Sequence, residues 1–364
     1  MPELDTISIR GFKSIAAIDD LKLGAINVLI GPNGAGKSNF LAVFALVRAV
    51  REQRLRDYVA RAGGASRILH LGPKVTDAVR VRLLFGRPET SYEIELTPTD
   101  TDELRPDREI IRSGKGGGLS ISPGSVRPEP WVGSLLRHQA GVDLRHGLDS
   151  WQTYHFHDTS PNAPMKVAAA IHDNGYLRPD GANLPAFLYL LRETHPAAYA
   201  LIRSTVQLVA PFFDDFVLEP QRLNPDMIRL EWRHRNTDAY FDVSSLSDGT
   251  LRFIALATLF LQPETLRPSL ILVDEPELGL HPYAITLLAS LIRQASTATQ
   301  VILATQSPVF LDHFTPEEVL VADLIDGRTQ FTRLDPDHLA DWLKDYSLGQ
   351  LWEKNELGGR PGGA

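Results

Sequence analysis

The segment "INVLIGPNGAGKSN", residues 26–39, places a short apolar run directly before a glycine-rich loop and a helical pattern. Residues 31–38 match the pattern G-x-x-x-x-G-K-[ST] in full, in the strand-before and helix-after context that confirms such a loop. Glycine at three positions of the loop lets backbone N–H groups curl around a phosphate without a Cβ clash. The N-terminus of the following helix adds partial positive charge. The segment therefore predicts a phosphate-binding loop.

Two side chains of this loop predict nucleotide chemistry. Lys37 is placed to reach the β- and γ-phosphates of ATP, and the Ser38 hydroxyl is placed to ligate Mg²⁺. A glycine-rich turn with a chance lysine is the competing interpretation, and the complete motif in its context argues against it. The predicted ATP-binding residues of the loop are Gly31, Asn33, Gly34, Ala35, Gly36, Lys37, Ser38 and Asn39.

The segment "LILVDEPELGLHP", residues 270–282, places a pair of carboxylates at the end of an apolar run. Asp274 is predicted to hold the Mg²⁺ shell, as the acidic residue of a Walker B strand does. Glu275 follows it and is predicted to polarise a water molecule for attack on the γ-phosphate. An acidic N-cap of the next helix is the competing interpretation. The phosphate-binding loop elsewhere in the chain favours the magnesium and catalytic roles.

The segment "SLSDGTLRF", residues 245–253, resembles a second device for holding phosphate. Ser247 and Gly249 precede a helical pattern, and a serine and a glycine at a helix N-terminus make an anion site. Taken alone, the pattern is more typical of a capped helix. A single nucleotide needs only one phosphate-binding loop, so the second one needs an explanation.

These segments together resemble the RecF/SMC/OLD-like branch of the ABC ATPase superfamily. "LSDGT" is similar to the ABC signature motif, usually written LSGGQ, and "IRGFKSI" and "DEPELGLHP" look like that branch. The resemblance covers residues 4–50 and 244–312. It implies that Ser247, Asp248 and Gly249 bind the γ-phosphate of a nucleotide held by another subunit. The chain is thus expected to form a head-to-head homodimer around two ATP molecules.

The resemblance also implies a fold and further site residues. The fold is an α/β, ABC-type P-loop NTPase head, with a mixed sheet that has a parallel core, an antiparallel β-subdomain and a helical insertion. Lys13 and Ser14 are expected near the phosphates or ribose, Leu280 and His281 in the D-loop, and Gln306 at the catalytic switch position. Two residues depart from the usual pattern. The D-loop position, which is Asp in transport cassettes, is His281 here, and the switch position, which is usually His, is Gln306.

The remaining pattern predicts how the chain is divided. Alternating apolar residues over 79–85 and 92–96 predict an antiparallel hairpin. The order helix, strand, helix, strand over residues 249–304 predicts a parallel sheet with crossover helices. A helical pattern broken at Pro196 occupies residues 183–211. Strands are predicted at residues 227–233 and 239–243, and the expected domain bounds are 1–110 for the N-terminal part of the head, 111–215 for the insertion, and 216–364 for the C-terminal part with a disordered tail at 357–364.

Composition limits the class of protein. The chain has no cysteine, no apolar run of the roughly 18 residues that cross a bilayer, and no signal-peptide pattern at its start. These features favour a cytoplasmic protein without membrane association. The formal net charge of -8 argues against nucleic-acid binding through overall charge, and it leaves a local basic patch open.

Two weaker patterns leave alternatives open. Arg48, Arg51 and Arg54 follow helical spacing, which is consistent with a DNA-contacting face and equally with a solvated helix face. Gln139 or Gln152 is the candidate for the Q-loop residue of the ABC fold.

The stretch "YHFHD", residues 154–158, suggests a metal site through His155, His157 and Asp158. Alternation along a strand would place both histidines on one face. No further ligand is identifiable from spacing, so a metal site is the less favoured interpretation.

The leading functional interpretation is an ATP-switched, DNA-associated protein of DNA repair or anti-phage defence. "LIDG" and "DPDHLADW" match a TOPRIM nuclease poorly, so no nuclease is expected in this chain. The resemblance implies that such a head works with a separately encoded effector or nuclease. A nucleotide-gated scaffold that sequesters a protein effector without DNA is the alternative. A transport cassette is disfavoured, because the signature lies far later than in cassettes and "IRGFKSI" is foreign to them.

Gln306 predicts slow turnover of ATP. A glutamine hydrogen-bonds a γ-phosphate but carries no charge at any pH, so it stabilises developing charge less than a histidine that can be protonated. We expect steady-state phosphate release well below ~10 s⁻¹, the median turnover of enzymes. A basal rate well above that value would contradict the prediction.

Overall fold

The structure, a computed structural model, describes residues 3–86, 90–113, 119–121, 148 and 151–358. Residues 1–151 and 302–364 form one compact unit, and residues 152–301 form a second. The three-part division expected from the sequence stays a prediction. No helix within the described ranges has the length and apolar character needed to cross a bilayer.

Strands and helices are numbered in chain order. The strands are β1 (Leu4–Phe12), β2 (Ile15–Lys22), β3 (Ile26–Ile30), β4 (Val79–Phe85), β5 (Thr90–Pro98), β6 (Leu104–Ser113), β7 (Leu119–Ile121), β8 (Gln152–Tyr154), β9 (Ala169–Ala170), β10 (Phe213–Val217), β11 (Pro220–Gln221), β12 (Asn224–Ile228), β13 (Glu231–His234), β14 (Tyr240–Asp242), β15 (Leu270–Asp274), β16 (Gln300–Thr305), β17 (Val319–Ile325) and β18 (Arg328–Arg333). The helices are α1 (Lys37–Arg51), α2 (Leu55–Ala62), α3 (Ala65–Ile68), α4 (Leu184–Thr194), α5 (Pro196–Val209), α6 (Asp248–Leu261), α7 (Pro282–Ala295), α8 (Pro308–Leu311), α9 (Pro336–Leu339) and α10 (Leu348–Glu353).

The first unit contains a six-stranded antiparallel sheet with the order β2-β1-β4-β5-β6-β7. Along β4, buried and more exposed residues alternate, as expected for a sheet with one solvated face. The predicted hairpin is confirmed, since β4 pairs with β5 from Val79 opposite Leu96 to Phe85 opposite Thr90. This sheet is the expected antiparallel β-subdomain.

A second sheet of the first unit carries the glycine-rich loop. Its strand order is β18-β17-β3-β16, where the last four residues of β16 belong to this unit. All five residues of β3 are buried, and β17 runs parallel to it with Val319 opposite Val28. A fully buried parallel strand explains why "INVLI" has no alternation. β18 returns antiparallel to β17 through a turn at Asp326 and Gly327, both with positive φ.

The second unit contains the carboxylate-bearing strand and the signature helix. β15 pairs in parallel with β8, with Val273 opposite Tyr154. α6 is buried along nearly its whole length, as expected for a helix that is apolar on all sides. The helical pattern broken at Pro196 corresponds to α4 and α5.

The prediction of one strand over residues 227–233 is wrong. β12 ends at Ile228 and pairs with β9 and β11, whereas β13 begins at Glu231 and pairs with β10 and β14. Arg229 and Leu230 lie between these two small sheets. Continuous alternation predicts strand conformation, but the choice of pairing partners depends on the tertiary structure.

A buried asparagine holds the loop that precedes α4. The Asn183 side chain is fully buried, and its Nδ2 donates hydrogen bonds to the carbonyl oxygens of Asp173 at 2.8 Å and Tyr176 at 2.7 Å. Its Oδ1 accepts from the backbone N of Arg178 at 2.8 Å. One side chain thus supplies partners for three backbone groups, which would otherwise lose hydrogen bonds on burial.

We predict that Asn183→Ala lowers the free energy of unfolding by about 2–4 kcal/mol, because buried backbone groups lose their partners. Asn183→Asp keeps the acceptor and loses both donors, and it should also destabilise the protein. Asn236→Ala is the matched control, since this exposed residue should change the free energy by no more than about 0.5 kcal/mol. Urea unfolding measures all three. Equal effects of Asn183→Ala and Asn236→Ala would contradict the assignment.

Candidate functional site: phosphate loop, acidic strand and signature helix

In the first unit the phosphate loop lies between β3 and α1. Gly34 and Gly36 have φ values of 84° and 102°, which lie in the left-handed region that side chains rarely adopt. A Cβ at Gly34 would meet no atom within 4 Å, so the backbone conformation rather than crowding requires glycine there. Asn33 and Ser38 are exposed, whereas Ala35 is buried. The loop therefore presents backbone and a hydroxyl at the N-terminus of a 15-residue helix.

Gly31 has a packing role of its own. Its φ is not in the left-handed region, but a Cβ added to it would collide with the carbonyl oxygen of Ala322 on β17. Glycine at this position therefore lets β17 approach the end of β3. The contact with Ala322 therefore requires glycine at this position independently of the predicted phosphate role.

Lys37 is buried, with 5% of the residue exposed. Its ammonium group donates hydrogen bonds to the carbonyl oxygens of Gly31 at 2.6 Å and Pro32 at 3.0 Å. Burying an ammonium ion is costly unless acceptors compensate for the lost water. These bonds keep a positive charge inside the loop.

A polar cluster supports the loop beneath Gly36. The Oγ of Ser14 lies 2.7 Å from Thr329 Oγ1, and it accepts a hydrogen bond from Asn39 Nδ2 at 2.7 Å. The backbone N of Thr329 donates to the Ser14 carbonyl at 2.8 Å. A Cβ at Gly36 would collide with Thr329 and approach Ser14. The structure thus brings Ser14 and Asn39 to the loop, and it adds Thr329, which the sequence analysis missed.

The neighbouring Lys13 has a different local setting. Its φ is 49°, its backbone N donates to the Ile68 carbonyl at 2.7 Å, and its own carbonyl lies 2.7 Å from His70 Nδ1. Burial lowers the pKa of its ammonium group. The ammonium lies 5.5 Å from the centre of the Phe12 ring. A role for Lys13 toward phosphate or ribose stays a prediction.

Gln306 follows β16, the strand beside β3 in the first unit. It is half-buried, and its neighbour Ser307 caps α8 by accepting from the backbone N of Phe310 at 3.2 Å. The Ser307 backbone N donates to Thr305 Oγ1 at 3.0 Å. The segment around the predicted switch residue is therefore fixed by local hydrogen bonds.

The prediction of one helical face for three arginines is wrong. α1 ends at Arg51, Gln53 has a left-handed φ of 59°, and Arg54 precedes α2. Arg48 Nε lies 2.7 Å from a Glu52 carboxylate oxygen, and the Arg54 guanidinium lies 3.6 Å from the same carboxylate. Two of the three arginines predicted to contact DNA are thus paired with an acidic neighbour.

In the second unit Asp274 ends β15, and Glu275 follows with φ 43°. Both residues are half-buried. A left-handed conformation is uncommon outside glycine and is often found at functional sites. The backbone therefore leaves the strand conformation between the two carboxylates, which is consistent with separate roles for them.

The histidines of "YHFHD" lie beside the acidic strand. β8 ends at Tyr154, so the expected placement of both histidines on one strand face is wrong, and their ring centres are 6.3 Å apart. His157 Nε2 lies 2.7 Å from the Asp274 carbonyl oxygen, which makes that nitrogen a donor. Desolvation lowers the pKa of His155, although the Asp274 carboxylate opposes the shift.

The described residues contain no group of three or more His, Cys, Asp or Glu side chains that could hold a metal ion.

Gln152, one Q-loop candidate, is buried in β8, and Gln139 lies outside the described residues. Both assignments stay predictions.

The signature segment forms the N-terminus of α6. Ser247 is the N-cap, and its Oγ accepts a hydrogen bond from the backbone N of Thr250 at 3.1 Å. A Cβ at Gly249 would collide with the carbonyl oxygen of Gly279. The first turn of α6 therefore packs directly on the predicted D-loop backbone. His281 follows Leu280 there and caps α7.

One arginine joins three backbone segments of the second unit. Arg252 on α6 donates from Nε to the Phe156 carbonyl at 3.2 Å and from Nη2 to the His157 carbonyl at 2.8 Å. Its Nη1 donates to the Leu278 carbonyl at 2.9 Å. The signature helix is thereby bound to the loop after β8 and to the loop after the acidic strand. Sequence reasoning missed Arg252, whose signal is a lone cation in an apolar helix.

A family model matches the chain over residues 26–120 and 149–312, more than two thirds of its length. The family is AAA_21, described as "AAA domain, putative AbiEii toxin, Type IV TA system". The chain belongs to this family. No curated protein matches the sequence.

Solved structures of Smc heads share the fold. An Smc head bound to the C-winged helix domain of ScpA superposes with a TM-score of 0.63 at 16% identity, covering 93% of this chain and 99% of that one. An Smc head from Pyrococcus furiosus with an extended coiled coil, bound to the C-terminal domain of ScpA, gives 0.58 at 15% identity, covering 95% and 99%. An Smc head with a coiled coil and joint from Pyrococcus yayanosii gives 0.55 at 13%, covering 95% and 99%.

These comparisons confirm the predicted fold class. The chain has the P-loop fold of an SMC-type, ABC-like ATPase head.

We predict that Arg252→Ala lowers the free energy of unfolding by about 2–4 kcal/mol, because three carbonyl acceptors lose a charged donor. Arg252→Lys keeps the charge but cannot reproduce the planar fork, so it should restore only part of the loss. Arg235→Ala, at an exposed arginine of the same unit, is the matched control. Urea unfolding measures the three variants, and full recovery by lysine would show that charge alone matters.

Proposed function

We propose that this protein binds ATP and hydrolyses it slowly in a Mg²⁺-dependent reaction. The observation that carries the proposal is the phosphate loop, in which left-handed glycines follow a buried strand and the Lys37 ammonium is held inside the loop by two carbonyls. Such an arrangement presents backbone N–H groups, a helix N-terminus and a cation to phosphate oxygens.

The residues present fit ATP and Mg²⁺. Ser38 is an exposed residue and Asp274 a half-buried one, and their hydroxyl and carboxylate oxygens are of the ligand type that Mg²⁺ prefers. Bound Mg²⁺ would neutralise charge that develops on the phosphates. Lys37 would bind the terminal phosphates, and the backbone at Gly34 and Gly36 would enclose them.

Hydrolysis needs a positioned water molecule. We assign Glu275 as the residue that orients the water and accepts its proton. Gln306 would hydrogen-bond the γ-phosphate without supplying charge, which is consistent with slow turnover.

Two copies are proposed to close head to head around two ATP molecules. The signature residues Ser247, Asp248 and Gly249 would contact the γ-phosphate of the partner's nucleotide, with Leu280 and His281 close by in the D-loop. The direct packing of Gly249 on the Gly279 backbone supports a joint action of the two segments. In this arrangement the loop at residues 31–38 binds the chain's own ATP, and the signature segment binds the ATP of the partner. Each of the two phosphate-binding segments of the chain thus has its own nucleotide.

The biological role proposed is an ATP-controlled switch that acts on DNA together with a separately encoded effector or nuclease, in DNA repair or anti-phage defence. The family description names a toxin of a type IV toxin–antitoxin system, and two of the similar Smc heads are bound to ScpA. Both observations support a protein partner.

A scaffold that holds and releases a protein effector without DNA is the second candidate. The ion pairs of Arg48 and Arg54 with Glu52 favour it, because they reduce the positive charge offered to a phosphate backbone. The formal net charge of -8 favours it as well.

We predict that Glu275→Gln lowers ATP hydrolysis at least about 100-fold, because the amide cannot accept the proton, while ATP still binds. Particle mass should then double with ATP–Mg²⁺ and stay single without it. Mass photometry, repeated with and without linear duplex DNA, measures both assembly and DNA retention.

Two further variants act as controls. Glu356→Gln, at an exposed carboxylate, should hydrolyse ATP like the parent. Ser247→Arg in the Glu275→Gln background should bind ATP and stay single. If the particle mass is the same with and without ATP–Mg²⁺, the proposed ATP-dependent dimer is wrong. A dimer that retains DNA would favour the DNA switch, and one that ignores DNA but holds a protein partner would favour the scaffold.

A further inference from the structure

The signature segment of this chain contains an acid, Asp248, where the ABC signature motif LSGGQ has glycine. Asp248 is the first residue of α6, and 58% of its side chain is exposed. A carboxylate is favourable at a helix N-terminus, because it meets the positive end of the helix dipole. The same carboxylate would repel a phosphate that approaches Ser247 and Gly249. A loop that binds phosphate in this chain therefore needs a cation close to Asp248.

Lys166 supplies that cation from a distant part of the sequence. It ends a short 3₁₀ turn, Pro164–Lys166, and only 8% of its side chain is exposed. Its ammonium donates to the Thr159 carbonyl oxygen and lies 3.4 Å from Asp248 Oδ1. An ammonium with so little exposure is stable only with acceptors around it, so its position is not that of a freely moving surface lysine.

Packing fixes the backbone that carries Lys166. The preceding residue, Met165, is 1% exposed. Gly181 approaches it so closely that an added Cβ would meet the Met165 side chain at 2.6 Å. Gly181 is in the left-handed region, with φ 71°. The lysine is therefore held under the signature loop by a packed neighbour.

Other charges surround this lysine. Hydrogen bonds from Ser160, with a smaller effect of Lys166, lower the pKa of Asp158. Burial opposes the shift at Asp242, but hydrogen bonds from Ser244, with Arg229 and Lys166 nearby, lower the pKa of that carboxyl. The Lys166 charge thus reaches Asp158 and Asp242 weakly, whereas its ammonium contacts the Asp248 carboxylate.

Arg252 and Arg229 do not replace it at Asp248. The Arg252 guanidinium donates to three backbone carbonyls of the second unit. Arg229 lies 4.0 Å from Asp242. Among the residues that the structure describes, Lys166 is the cation paired with the Asp248 carboxylate.

We propose that Lys166 belongs to the signature-side nucleotide site, where its ammonium cancels the charge of Asp248 and so lets the terminal phosphate of an ATP held by a second copy approach Ser247 and Gly249. This inference rests on the proposed ATP-dependent dimer. It assigns Lys166 a positioning role through Asp248, at a site assembled from two copies of the chain.

The proposal predicts a specific coupling between the two side chains. Without Lys166 the Asp248 carboxylate would repel the incoming phosphate. When both charges are removed, no carboxylate remains to repel the phosphate. Removing the acid should therefore correct the loss of the lysine, which a purely structural role of Lys166 would not produce.

The test uses the full chain in the Glu275→Gln background with ATP–Mg²⁺. The variants are Lys166→Ala, Asp248→Asn and the double substitution, and mass photometry over a concentration series gives the dimer dissociation constant. Lys344→Ala is the matched control, because Lys344 also pairs with an aspartate, Asp341, at 2.7 Å. Thermal unfolding of each variant and its binding of a fluorescent ATP analogue show whether the fold and the phosphate loop are intact.

We expect Lys166→Ala to weaken dimerisation at least about tenfold, as like charges placed opposite each other do. The double variant should return to within about threefold of Asp248→Asn, since charge repulsion is then absent. Lys344→Ala should dimerise like the parent.

Three results would overturn the proposal. Dimerisation of Lys166→Ala at parent strength rejects a role for this lysine, and additive effects in the double variant reject the coupling to Asp248. A parent that fails to dimerise with ATP rejects the proposed dimer and this inference together. The first two leave the proposed dimer standing, so the failures are distinguishable.

Discussion

The buried ammonium group of Lys37 is the constraint on which the phosphate loop depends. A buried positive charge needs acceptors, and the carbonyl oxygens of Gly31 and Pro32 provide them from the same loop. The loop takes this path because Gly34 and Gly36 adopt left-handed conformations. The requirement extends to β17, whose close approach excludes any side chain at Gly31, and to Thr329 beneath Gly36.

In the second unit, Arg252 is the charged side chain that donates hydrogen bonds to loop carbonyl oxygens. Three loop carbonyls receive hydrogen bonds from one guanidinium, which connects the signature helix to the loop after β8 and to the loop after the acidic strand. His157 adds a contact to the Asp274 carbonyl. A change at the signature helix would therefore reach the backbone around the acidic strand through fixed, charge-assisted hydrogen bonds.

The signature segment shows how electrostatics adapts a shared fold. Its Asp248 adds a negative charge at a helix N-terminus, and Lys166 lies against it from 82 residues away in the sequence. In the proposed site, Lys166 offsets the charge of Asp248 while the helix N-terminus stays polar.

The sequence by itself determined the strand–loop–helix unit and the acidic strand, because motif spacing and apolar patterning are local properties. The ABC-type fold class was predicted through resemblance to a known family. The same resemblance predicted Ser14 near the loop. Only the tertiary structure showed Thr329, Arg252 and Lys166, because each acts on backbone or side chains far away in the sequence. It also separated β12 from β13 and ended α1 at Arg51, since pairing partners and helix ends depend on packing that alternation and helical spacing do not encode.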